Sequence, residues 1–350
     1  MIRFWHPTAE VPRHMSKSRN HQSRRTTPWD GHDALTPTQH FLSERYEIQY
    51  KERHPRLTET GEATLINAIM PDTCPSCQHN GISRFGQTGN GIQRYRCKGC
   101  GKTFTPITGT IFDGHKISIS EWMEYCLNIF RSVSINAESW NNRNAFTTSR
   151  YGLEKLFLVL EHYTEDIILD GRVWFDETFY TVRSDDIPVK EDGTKPRGLS
   201  KNPLGIGVAC TKNRILCLLE GTGQPTARKA YMTFGSHITE GSTLVHDEGK
   251  AHGMLIEKLH LISESYDSSE IQNLSDKDNP LNRVNEVHAR LKNFLHAHTS
   301  VDRDTLQGYL NLFSFTMNPP AEHLEKVEIL LNLALNTRKT LRYRSFYHMD

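Results

Sequence analysis

Between Val173 and Tyr180 the chain reads Val-Trp-Phe-Asp-Glu-Thr-Phe-Tyr, apolar, aromatic and β-branched enough for a buried strand, with two carboxylates in its middle. A carboxylate buried without a partner costs several kcal/mol, so such groups are paired, protonated or bound to a metal ion. Alternation along a strand sends Asp176 and Glu177 to opposite faces, and a single ion takes one of them. The plainer alternative is a strand end whose acids point into water. Further on, Thr243-Leu244-Val245-His246-Asp247 is a short strand pattern that ends in another acid. From Arg283 to His296, Val284, Val287, Leu291, Phe294 and Leu295 make the apolar stripe of a helix. Asn285, His288 and Lys292 fall at i, i+3 and i+7 on one face of it, while Glu286 lies about 100° around from Asn285.

A second set of reactive side chains is Cys74-Pro-Ser-Cys77 and Cys97-Lys-Gly-Cys100. Each C-x2-C turn presents two thiolates to one ion, and two such knuckles complete a closed tetrahedral zinc site. Four cysteine ligands leave no open position, so a zinc ion there is structural. Unligated, the same segment would have little to hold its fold. Arg84, Arg94, Arg96, Lys98 and Lys102 surround the knuckles with Phe85, Tyr95 and Phe104 among them, which suits a DNA backbone or a solvated face. Cys126, Cys210 and Cys217 lie in apolar surroundings, so cysteine usage fits a reducing cytoplasm better than a disulfide framework. His246 and His252 flank Asp247, but local histidine enrichment is a weak signal of a metal site.

Elements must position these groups. Residues 1–60 carry Arg3, Arg13, Lys17, Arg19, Arg24 and Arg25 without an apolar period and read as a flexible basic arm, ordering near Phe41 to Tyr50. The zinc ribbon takes 61–112 and a helical segment 113–168, in which Ser120 is a candidate cap and a short helix, a turn and Leu153–Leu160 resemble a helix-turn-helix. Plain packing of a helical bundle gives the same pattern. Past Asp170-Gly171 come the Asp176 strand, a polar loop with Lys190, Lys195, Arg197 and Lys201, and a hairpin around Lys212-Asn213. A helix over 226–234, the Asp247 strand and helices over 253–261 and 283–296 complete the order of an α/β ribonuclease-H-like core, 169–318. A C-terminal helix and basic tail with Arg338, Lys339, Arg342 and Arg344 fill 319–350.

Composition is that of an ordinary soluble protein: 36% hydrophobic, 24% charged and a net charge of +1 over 350 residues, so any nucleic-acid binding must come from local patches. No apolar run approaches a membrane span and no secretory signal opens the chain, so a cytoplasmic protein with no membrane partner is expected.

Zinc ribbon, helical segment, the D-E-T strand, His-Asp-Glu-Gly-Lys-Ala-His at 246–252 and Val-Asn-Glu-Val-His-Ala-Arg-Leu-Lys at 284–292 together resemble the zinc-ribbon DDE transposases of bacterial insertion sequences. More narrowly they resemble the ISXO-two-like group, whose catalytic set reads Asp, Asp, Asn, Lys. The likeness runs from Cys74 to Arg342-Tyr343-Arg344 and covers Arg197-Gly198-Leu199-Ser200 and Leu310-Asn311-Leu312-Phe313, but not the first sixty residues. It implies a nucleoid-associated DNA transposase that binds terminal inverted repeats and target DNA as a homodimer or higher oligomer. It implies structural Zn2+ on Cys74, Cys77, Cys97 and Cys100, and catalytic Mg2+ or Mn2+ on Asp176, Asp247 and Asn285, with Lys292 as the basic residue two turns on. His288 is an additional candidate for the scissile phosphate. Glu286 is the alternative third ligand, and Glu177 and Glu248 are spare acids. An inactivated transposase kept as a zinc-ribbon DNA-binding protein, and a metal-dependent nuclease without strand transfer, are the competing functions.

Overall fold

The structure, a computed structural model, describes residues 27–181, 203–298 and 301–347. The basic run Arg3 to Arg25, the loop with Lys190, Lys195 and Lys201, and the Arg197-Gly198-Leu199-Ser200 motif lie outside the described residues. The described residues form two compact units, 27–108 with 114–129 and 135–151, and 109–113 with 130–134 and the described residues from 152 on.

In the first unit, α1 (Pro37–Arg53) spans the stretch expected to order. Thr36 and Gln39 cap it reciprocally, each side chain accepting from the other's backbone N–H. The Arg143 guanidinium stacks 3.5 Å over the Tyr46 ring of α1. After α2 (Glu62–Asn67) comes an antiparallel three-stranded sheet of β1 (Ile82–Gln87), β2 (Gln93–Cys97) and β3 (Thr103–Phe104). Three helices follow along the chain, α3 (Ile119–Phe130), α4 (Ile135–Asn141) and α5 (Phe146–Val159), the last of which belongs to the second unit from Gly152 onward. The hydroxyl that accepts from the Glu121 N–H at the start of α3 is Ser118, 3.2 Å away, not the Ser120 expected from the sequence. The Glu62 carboxylate, 4% exposed, also receives the Ile119 N–H at 2.9 Å, placing negative charge at the helix's positive end.

The second unit is built on β4 (Arg172–Tyr180), β5 (Leu204–Cys210), β6 (Ile215–Thr222), β7 (Thr243–Asp247) and β8 (Ile262–Tyr266), in the order β6-β5-β4-β7-β8. The first three pair antiparallel, and β7 and β8 are added parallel. The helices are α6 (Ala227–Phe234), α7 (Gly253–Lys258), α8 (Ser268–Ile271), α9 (Asn282–Ala297), α10 (Leu306–Met317), α11 (His323–Asn336) and α12 (Tyr343–Phe346). Strand β8 has no counterpart in the sequence reading. It is an edge strand of sequence Ile-Ser-Glu-Ser-Tyr, half polar and largely exposed, so it lacks the apolar signal of its inner neighbours.

On one face of the sheet Val173, Phe175, Ala209, Leu216 and Leu244 pack with Phe234 of α6 and Leu255 of α7, and the Phe175 and Phe234 rings meet edge to face at 4.9 Å. Gly207 must be glycine here, because a Cβ would drive into the Phe234 ring and the Glu220 carboxylate. On the other face Trp174 donates its indole N–H to the Pro280 carbonyl at 2.9 Å, just before α9. The free edge of β6 is closed by side chains from α10 and the residue after it. The N–H groups of Ile215, Cys217 and Leu219 donate to Asn318 Oδ1 (2.7 Å), Ser314 Oγ (3.3 Å) and Gln307 Oε1 (2.9 Å). A strand edge that would otherwise template pairing with another chain is thereby satisfied by a helix.

Candidate active site and metal centre

Asp176 sits in the middle of β4, and Asp247 is the last residue of the parallel neighbour β7. Phe175 and Glu177 belong to the α6 face of β4, whereas Trp174 and Asp176 belong to the α9 face, as strand alternation requires. Burial, then the charge of Asp247, push the Asp176 carboxyl up to about 7, although the Glu177 N–H, 2.8 Å from Asp176 Oδ1, works the other way. Asp247 is held in a turn, its Oδ1 accepting from the Gly249 N–H at 2.9 Å. A Cβ at Gly249 would lie 2.7 Å from that oxygen, so the glycine two residues after the acid is what lets the backbone approach it.

Helix α9 supplies the third side. His288 is buried, with Nδ1 3.7 Å from Asp176 Oδ2 and no partner for Nε2 among the described residues. Burial first, then the nearby Lys292 charge, lower its pKa to about 4, so the imidazole beside Asp176 is neutral. Asn285 and Lys292, a turn before and a turn after, are exposed on the same side of the helix. Glu286 turns elsewhere. It accepts from Asn282 Nδ2 at 3.4 Å and lies 3.6 Å from Arg283, whose guanidinium donates to the carbonyls of Thr211 and Lys212 at the β5–β6 turn. Glu248 is exposed.

Sequence reasoning passed over a group on the α6 side. His252 is fully buried, with Nε2 3.2 Å from Glu177 Oε2, Nδ1 3.0 Å from His246 Nδ1 and Nδ1 3.7 Å from Asp247 Oδ1. Burial alone would lower the His252 pKa, but the Glu177 hydrogen bond and the charges of Glu177, Asp247 and Asp176 raise it. Glu220 lies behind them with both carboxylate oxygens buried and without a hydrogen-bond partner among the described residues, and burial, then the Glu177 charge, lift it to about 7. The available signal was the pair of histidines bracketing Asp247.

In the first unit the four cysteines converge. Cys74 Sγ and Cys100 Sγ are 3.7 Å apart, Cys77 Sγ and Cys97 Sγ 3.6 Å, and all four sulfurs lie within 4.8 Å of one another. A tetrahedral zinc ion with Zn–S of about 2.3 Å sets its ligands about 3.8 Å apart, so the cradle fits. The two knuckles repeat one backbone plan. Gln78 N–H donates to Cys74 O and Gly101 N–H to Cys97 O, at 2.9 and 3.0 Å. Gln78 and Gly101 have φ of 59° and 73°, the left-handed turn that folds the chain back after the second thiol. The Ser76 amide points at Cys74 Sγ, and the Gly99 and Cys100 amides at Cys97 Sγ, donors that suit thiolates. On the ribbon's outer face the Arg94 and Arg96 guanidiniums each lie 5.5 Å from the exposed Phe85 ring.

Fold and sites thus define an α/β unit with two neighbouring aspartates beside a helix, in one chain with a cradle of four cysteines fit for zinc. No family model matches the chain. It is 33% identical to an uncharacterized protein in transposable element ISH50 of Halobacterium salinarum over 63 residues, 18% of this chain and 20% of that protein. The chain therefore spans about a fifth of the length of the curated relative it matches. A crystal structure of a pre-cleavage Mos1 transpososome aligns over 61% of this chain and 78% of the matched one, at 11% identity and a TM-score of 0.21. Among the described residues no helix is long and apolar enough to cross a membrane.

Proposed function

We propose that this protein is the DNA transposase of an insertion sequence, of the zinc-ribbon group with a ribonuclease-H-like core. The single observation that carries the reading is the Asp176–Asp247 pair. Two carboxylates from adjacent parallel strands lie close enough that one raises the pKa of the other, and that arrangement asks for a divalent cation. The partial match to a protein of a transposable element supports the same class. Asp176 and Asp247, with the Asn285 carbonyl oxygen, are the residues that would hold Mg2+ or Mn2+, an all-oxygen donor set suited to hard ions. When bound, such ions supply Lewis-acid activation of the attacking oxygen and charge neutralisation at the leaving oxygen.

The chain's own groups do the rest. Lys292, exposed beyond His288, offers a point charge to a DNA phosphate. His288, neutral at physiological pH, brings no positive charge to compete with a cation for Asp176. The ribbon, with Arg84, Arg94, Arg96, Lys98 and Lys102, and the helices α3 to α5 would hold the terminal repeats. Joining two ends requires two such sites on DNA, hence at least a dimer.

The test is strand transfer with Mg2+ and DNA carrying the repeats that flank the protein's own gene. Asp176→Ala and Asp247→Ala are expected to abolish joined products, while Asn285→Asp retains part of the activity. Full activity of Asp247→Ala would refute the assignment, and nicked but never joined ends would leave a nuclease.

A further inference from the structure

We infer that His246, His252 and Asp247 form a second metal site, sharing Asp247 with the one proposed above, for a borderline divalent transition ion, Zn2+ being the natural occupant. Their ligand atoms lie within 4.8 Å of one another, with the two imidazole Nδ1 atoms 3.0 Å apart and Asp247 Oδ1 3.7 Å from that of His252. A tetrahedral zinc ion with Zn–N of about 2.0 Å holds two ligand nitrogens about 3.3 Å apart. The far nitrogens carry the partners that ligating histidines have. His246 Nε2 is 3.0 Å from Ser263 Oγ, and His252 Nε2 is 3.2 Å from Glu177 Oε2.

A carboxylate only accepts, so His252 Nε2 carries its proton and its Nδ1 offers a lone pair toward His246. With no ion present, a hydrogen on His246 Nδ1 serves both the His252 lone pair and the Asp247 backbone carbonyl, which that nitrogen also contacts, and Zn2+ would displace it. That hydrogen does not engage Asp247 Oδ1, which accepts from the Gly249 N–H, whereas an ion would draw on all three ligand atoms. His246 is 4% and His252 0% exposed, so the imidazoles cannot turn out to water instead. The anionic neighbours Glu177 and Asp247 favour added positive charge at this point.

Imidazole nitrogen selects zinc-like ions over Mg2+, which takes oxygen. An ion held here claims Asp247, one of the two carboxylates assigned above to the catalytic cation, and so opposes that cation. This consequence rests on the transposase reading, but the site itself does not.

The experiment titrates full-length protein, holding one zinc equivalent in its cysteine ribbon, with further Zn2+ by calorimetry. Zinc X-ray absorption then reads the ligands of the second equivalent. The expected result is a second bound equivalent whose shell is nitrogen and oxygen with imidazole scattering. His246→Ala and His252→Gln should each weaken it by roughly 100-fold or more, and Glu177→Gln by about 10–100-fold. Asp176→Asn, which on the reading above ends strand transfer, should leave it in place, so the two proposals fail separately. Absence of a second equivalent, a second shell without imidazole, or a second equivalent lost in Asp176→Asn but kept in both histidine variants would overturn the site. Should His252→Gln fail to fold, the wild-type absorption spectrum decides alone.

Discussion

Asp176 has a measurable consequence for stability apart from catalysis. Its folded pKa, about 7, lies above the ordinary aspartate value of 3.8, because burial and then Asp247 disfavour the charged form. As pH rises from about 4 to about 7 the unfolded chain loses this proton before the native one does, so the residue's contribution falls and then stays level above pH 7. A displacement of about three units corresponds to at most about 4 kcal/mol. Asp176→Asn keeps the shape of the protonated form at every pH. In metal-free buffer it should match wild type in urea unfolding near pH 3, below the ordinary aspartate pKa, and exceed it by a few kcal/mol near pH 8. Equal midpoints at pH 8 would mean that Asp176 ionises freely in the fold. Added Mg2+ should stabilise wild type and leave the variant unchanged, which ties the strain to the proposed cation.

At the level of elements, what the sequence made legible is what periodicity and spacing carry. The strands holding Asp176 and Asp247 and the helix presenting Asn285, His288 and Lys292 are short-range patterns, as are the two cysteine knuckles. Strand β8 escaped because an exposed edge strand needs little apolar content. The contact of His252 with Glu177 escaped because it joins residues 75 apart and depends on which face of β4 each acid takes. The closure of the β6 edge by α10 escaped for the same reason, since Asn318, Ser314 and Gln307 have no pattern of their own. Of these, Asn318 matters most, accepting the Ile215 N–H at 2.7 Å and donating to the Ile215 carbonyl at 2.9 Å, as a strand residue would. Asn318→Ala leaves a buried donor and acceptor unpaired, so a loss of about 2–6 kcal/mol is expected, from about 1–3 for each group. Asn318→Asp restores the acceptor alone and should recover part of that loss. A urea midpoint unchanged in Asn318→Ala would show that the edge is held by packing instead.

For the whole molecule the division into two units would make zinc in the cysteine cradle a local requirement. The ribbon's core is little more than Cys74, Tyr95, Cys97, Phe104 and Ile82, so two of its four cysteine ligands are also its packing. A segment that small would hold its fold through a bound metal. The second unit has its own core around Phe175 and Phe234 and owes nothing to those thiols. Chelation at neutral pH, or Cys97→Ser, should therefore speed amide exchange across β1 to β3 while leaving β4, β5 and β7 protected. Binding to terminal-repeat DNA should fall with it. The salt dependence of that binding should fall too, by about one unit of slope for each phosphate that the ribbon no longer neutralises. Mg2+-stimulated nicking of DNA supplied at high concentration should survive, because Asp176, Asp247 and α9 lie in the unit that stays folded. If chelation instead exposes β4 and β7 to exchange, the units are not independent, and the ribbon supports the fold that holds Asp176 and Asp247 as well as its own.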